Sequence, residues 1–89
     1  MLIRLSGTLL RFTDYQKELR IDAPTLKEGI EALAAQYPEV GKALFDGKTG
    51  QVRSSHRLFV NGDPVDKGAF GQPIGGEDVV DILTAVTGG

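Results

Sequence analysis

Hydrophobic and polar residues alternate at both ends of the chain and follow a longer period in the middle. In residues 2–6, Ile3 and Leu5 fall on one side and Arg4 on the other, the two-residue period of a half-buried strand. Residues 16–22 repeat it, with Leu19 and Ile21 opposed to Glu18, Arg20 and Asp22, so the two segments are predicted to form an antiparallel hairpin. Their long connection carries Leu9, Leu10 and Phe12, which need cover from the core or from a partner; the core is expected to take at least one of them. The period then lengthens. Thr25-Leu26-Lys27-Glu28 forms a capping box, in which the threonine hydroxyl accepts from an early helical N–H and Glu28 reaches back. Leu26, Ile30, Leu33 and Tyr37 follow at helical spacing with Ala34 beside them, and Pro38 disfavours helical geometry at Tyr37. Gly29 costs about 1 kcal/mol relative to alanine inside a helix; close approach of helix to sheet, or simple tolerance, accounts for it.

Val40, Ala43, Leu44 and Phe45 predict a short helical turn on the same core, and residues 46–55 an exposed loop. Leu58-Phe59-Val60 reads as a strand. Asn61-Gly62 is a strong hairpin signal because both positions tolerate positive φ, and Pro64-Val65 starts a short return strand. Residues 66–77 hold four glycines and a proline and predict a meandering connection. From Asp78 to Thr84 alternation returns, Val80 and Ile82 on one face, Val79, Asp81 and Leu83 on the other. The order strand, strand, helix, strand, short strand, strand predicts an α+β domain of the β-grasp kind. Its mixed sheet of four to five strands has one main helix across a face, and the last strand lies centrally and parallel to the first. Residues 1–84 form this domain and residues 85–89 a flexible tail.

Composition narrows the chemistry. The chain has 89 residues, 40% hydrophobic and 25% charged, as expected of one globular domain with a modest core. A net charge of −2 and a pI near 5.2 argue against a nucleic-acid binder. No apolar run approaches the roughly 20 residues of a membrane span. Met1-Leu2-Ile3-Arg4-Leu5 lacks the pattern of a secretion signal, so a cytoplasmic location is expected. There is no cysteine and only one histidine, His56, which leaves no thiolate nucleophile and no metal-ligand set. No cofactor bound by this chain is expected. Gly47-Lys48-Thr49 does not complete a phosphate-binding loop, because Lys42 stands where the first glycine is required.

What remains is the end of the chain. Gly88-Gly89 places an α-carboxylate on a thin, pliable segment that suits a narrow active site in another protein. With 12 glycines in 89 residues such a pair arises by chance in roughly 2% of chains, so it counts only together with what precedes it.

The β-grasp order, the Val60-Asn61-Gly62-Asp63-Pro64-Val65 hairpin and the ending Ile82-Leu83-Thr84-Ala85-Val86-Thr87-Gly88-Gly89 resemble the ubiquitin-like sulfur-carrier proteins of the ThiS/MoaD family. The Tyr37-Pro38 helix end and the long loop before the hairpin look closest to the bacterial branch that supplies sulfur for cysteine or secondary metabolites. The chain departs from the family pattern at Thr84, where proline is frequent, at Gly76-Glu77-Asp78 before the last strand, and at Asp14-Tyr15, where glycine pairs are frequent.

The resemblance implies that an E1-like adenylating enzyme, using ATP and magnesium, activates the Gly89 carboxylate. A sulfur donor then displaces AMP, and the resulting thiocarboxylate gives its sulfur to an accepting synthase. The destination stays open among cysteine, secondary-metabolite or thio-sugar, thiamin and molybdopterin synthesis. On this view the chain is a protein co-substrate and not an enzyme, a monomer in isolation, with no nucleic-acid or membrane partner. Thr84 to Gly89 can extend about 20 Å, enough to enter a buried site. Gly88, Thr87, Val86, Ala85, Leu83 and Asp81 are the expected partner contacts around Gly89. Glu77, Asp78 and Asp81 are either a solvated edge or a steering charge. Arg53, His56 and Arg57 are either a solvated surface or an aid to docking. Two other classes compete: a ubiquitin-like modifier conjugated through Gly89, and a plain β-grasp binding module.

Overall fold

The computed structural model of the chain describes residues 1–48, 52–53, 56–66 and 70–84. Five strands form one sheet: β1 (Leu2–Leu5), β2 (Glu18–Arg20), β3 (His56–Val60), β4 (Asp63–Pro64) and β5 (Val79–Thr84), in the order β2-β1-β5-β3-β4. The last strand is central and parallel to the first, with Ile3 beside Val80 and Leu5 beside Ile82, while β3 pairs antiparallel to its other edge. This is the expected β-grasp arrangement.

Alternation fixes which face is covered. Ile3, Leu5, Val80, Ile82 and Leu58 point into the core, and helix α1 (Leu26–Gln36) lays Leu26, Ile30 and Leu33 over them. The first half of the capping box is present, since the Glu28 N–H donates to Thr25 Oγ1 at 3.2 Å. Tyr37 caps the helix as Pro38 requires, but Pro38 also opens a second helix, α2 (Pro38–Leu44). The short turn predicted there is two turns long, because proline at the first helical position lacks only an N–H that would have no partner. Gly29 is explained by close approach: a Cβ there would overlap Sδ and Cε of Met1, whose buried side chain lies against the helix.

The β1–β2 connection differs from the loop expected. Residues Gly7–Thr13 form a 3-10 helix that buries Leu9 fully, leaves Leu10 partly covered and Phe12 exposed. Thr13 is buried and satisfies its hydroxyl locally by donating to the Leu10 or Gln16 carbonyl. The chain then turns through Asp14 (φ 53°) and Tyr15 (φ 62°), both left-handed. An L-residue in that region carries a strain of roughly 1–2 kcal/mol. The second hairpin has the expected turn, with positive φ at Asn61 and Gly62, and its return strand begins one residue early, at Asp63. The region after Leu44 is more ordered than a plain loop: Phe45 bridges to Val52, and Phe70 packs edge-on against Phe45 with ring centres 6.3 Å apart.

Candidate functional site

Because β5 runs parallel to β1, it finishes at the same end of the sheet as β1 does, and residues 85–89 follow on from Thr84 at that end. Gly89, Gly88, Thr87, Val86 and Ala85 lie outside the described residues. Leu83 points to the sheet face without helices and is 42% exposed. Thr84 turns inward, beside His56 across the sheet. Its Oγ1 is buried with no hydrogen-bond partner among the described residues. The space for it comes from Gly7 (φ +66°), whose missing Cβ would lie 2.9 Å from that oxygen. Ser6 Oγ donates to the Ile82 carbonyl at 3.4 Å and ties β1 to the same strand. Sequence reasoning missed this junction, because its signal lies in the left-handed backbone angle at Gly7.

Of the three acidic residues Glu77, Asp78 and Asp81, the last two have structural partners. Asp81 accepts both Nε (2.6 Å) and Nη2 (2.9 Å) of Arg4 across the parallel pair β1/β5, and this interaction raises the Arg4 pKa. Asp81 thus lies within the tail strand with its charge matched by an arginine on β1. Asp78 lies at the other end of β5, where it accepts from Asn61 Nδ2 (2.9 Å) and the Gly75 N–H (2.7 Å). Asn61 Oδ1 in turn accepts the Val79 N–H, so the hairpin turn is stapled to the start of the central strand. The hydrogen bond from Asn61, followed by that from Gly75, holds the Asp78 carboxyl below its ordinary 3.8. Such a group stabilises the fold above the unfolded-state pKa, and its contribution disappears as pH falls through the lower folded value. Between about pH 4 and 2 the wild-type domain should therefore lose more stability than Asp78→Asn, read from urea melts at each pH. Parallel pH profiles would refute that role.

At the tail end of the sheet, Arg53 and His56 adjoin through a backbone hydrogen bond, and Arg57 pairs with Leu83 on the open face. Burial, and then the charge of Arg53, push His56 below its usual pKa, so its imidazole is neutral at pH 7. Among the described residues no group of His, Cys, Asp and Glu could hold a metal ion, and no helix is long and apolar enough to cross a membrane. An open depression of about 330 Å³, lined by Val60, Asn61, Asp63, Pro64, Val65 and Gln72, sits at the end of the sheet opposite Thr84. Neither Leu83 nor Thr84 lines it.

A small β-grasp domain whose central strand leads into a Gly-Gly ending defines the ubiquitin-like class. Within it, the chain belongs to the ThiS family, which it matches over residues 3–89. The fold is similar to Mycobacterium tuberculosis CysO at 28% identity, covering 96% of this chain and 98% of that one, with a TM-score of 0.84. A chain of the Amycolatopsis orientalis BexX/CysO complex matches at 20% identity and TM-score 0.84, covering 99% and 98%. Haloferax volcanii SAMP1 matches at 19% identity and TM-score 0.83, covering 99% and 97%. No curated relative matches the chain by sequence. The expected ThiS/MoaD resemblance is thereby borne out at the level of the family, with bacterial CysO among the similar structures.

Proposed function

We propose that the chain is a sulfur-carrier protein, a co-substrate whose Gly89 carboxylate is the reacting group. The observation that carries this reading is the family match through Gly89, on a domain whose central strand ends five residues earlier at Thr84. A carboxylate resists nucleophilic attack until one oxygen becomes part of a leaving group. In the proposed cycle, Gly89 attacks the α-phosphorus of ATP on an E1-like enzyme, and pyrophosphate leaves. A sulfur nucleophile then adds to the acyl adenylate and expels AMP, giving the thiocarboxylate that an accepting synthase consumes. Magnesium and ATP belong to the activating partner. Glycine at both final positions leaves the carbonyl open to attack and lets the backbone adopt the angles of a channel. The absence of cysteine in the sequence removes an internal thiol that could intercept the adenylate.

The test is intact-mass spectrometry of the chain after incubation with magnesium, ATP, sulfide and an E1-like adenylating enzyme from the same cell. The expected product carries the mass change of one oxygen replaced by sulfur, and deletion of Gly89 abolishes it. Isopeptide adducts in place of that product would assign the chain to the protein modifiers. Unchanged biological activity after deletion of Gly89 would exclude both terminal chemistries.

A further inference from the structure

The large hydrophobic side chains that stay exposed among the described residues are Phe12, Tyr15 and Leu83, at 36%, 69% and 42% exposure. All three lie at the end of the sheet from which the tail departs. Leu83 is the penultimate residue of β5. Phe12 and Tyr15 belong to the connection that leaves β1 at that end and returns through Lys17, whose carbonyl accepts the Leu5 N–H. Tyr15 is held outward at φ 62°, a left-handed backbone that a tyrosine adopts at a cost and that its exposed ring does nothing to offset. Two guanidinium groups complete the rim. Arg57 pairs with Leu83 across β3/β5, and Arg53 adjoins His56, the partner of Thr84. Among the described residues the ion pairs are Arg4–Asp81 and Lys42–Glu39, so neither Arg53 nor Arg57 is neutralised by a carboxylate.

Resting on the carrier reading above, we propose that Phe12, Tyr15, Leu83, Arg53 and Arg57 form the docking rim for the adenylating partner. That partner presents an apolar surface edged with carboxylates around the mouth of its channel. Reach selects this place. Five residues after Thr84 span at most about 18 Å, so an enzyme that holds Gly89 in a buried site must bring its body against the end of the domain where the tail begins. The apolar side chains supply the contact, and the two arginines, with no carboxylate partner among the described residues, set the sign of charge opposite them. Asp81 and Asp78 are engaged elsewhere, with Arg4 and Asn61 respectively.

The experiment uses the full chain and the adenylating enzyme that forms its thiocarboxylate, and measures KM and kcat for the chain in ATP–pyrophosphate exchange. Tyr15→Gly removes the ring and relieves the backbone, so its melting temperature should equal or exceed that of the wild type. Its KM should rise about tenfold with kcat unchanged. Leu83→Ser should act alike, and Arg53→Glu/Arg57→Glu should slow association and flatten its dependence on salt. Lys27→Ser, on the exposed side of α1, should leave KM within about twofold. If the enzyme processes Tyr15→Gly, Leu83→Ser and the charge-reversed chain with wild-type KM, the rim is wrong while the carrier reading stands. If no adenylating enzyme processes the wild-type chain, both fall.

Discussion

Ile82→Ala is expected to destabilise the domain by about 2–5 kcal/mol, the usual range for emptying a fully buried isoleucine site. Ile82 is 0% exposed and sits in the central strand, flanked by Leu5 in parallel and Leu58 in antiparallel register. The residues of α1 close over it, so little can collapse into the space. A domain of this size has a total stability of about 5–15 kcal/mol, and the substitution would remove a large share of it. One residue further on, Leu83→Ala should cost far less, within about 1 kcal/mol, because that side chain already faces solvent. Urea melts of the two variants compare adjacent positions with opposite orientation. Equal losses would contradict the register of β5; a large loss at Ile82 alone supports it.

The same alternation is what made the fold readable from the chain. Ile3, Leu5, Val80 and Ile82 all point inward as the two-residue period requires, and Thr25 and Pro38 mark the helix ends by local chemistry. Features that depend on tertiary placement were hidden. Leu9 and Leu10 show no regular period because a 3-10 helix turns three residues per cycle and here has to bury only one side chain fully. Helix α2 was foreshortened because a proline that stops one helix is equally good at starting the next.

The site was legible in part for a similar reason. Gly-Gly endings and hydrophobic strands can be seen in one dimension, and they pointed to the family the chain belongs to. Charge partners cannot. Asp81 was grouped with its sequence neighbours Glu77 and Asp78, yet its partner Arg4 is 77 residues away and comes beside it only through the parallel register. Asp78 was separated from Asn61 by a long glycine-rich segment, although the two side chains hydrogen-bond at 2.9 Å. The register of β1 against β5 sets Arg4 opposite Asp81, so this pair follows from the register and not from the local sequence. The Thr84–Gly7 contact was hidden too, because its signal lies in a backbone angle.

That contact yields the second large effect. Gly7→Ala is expected to cost about 2–4 kcal/mol, combining about 1–2 for an L-residue in the left-handed region with at least about 1 for overpacking. The new Cβ would lie 2.9 Å from Thr84 Oγ1 and 3.2 Å from Thr84 Cβ, closer than ordinary contact. Thr84→Ala alone should cost little in hydrogen bonding, since the hydroxyl has no partner among the described residues. Combining the two should recover the part of the loss due to the Oγ1 contact and leave the backbone strain, so the double-mutant cycle should show a favourable coupling of at least about 0.5 kcal/mol. Additive losses would mean that Thr84 moves freely out of the way and that only the backbone requires glycine. A Gly7→Ala variant as stable as wild type would remove both requirements, and with them the explanation for a buried hydroxyl that has no partner among the described residues at the end of β5.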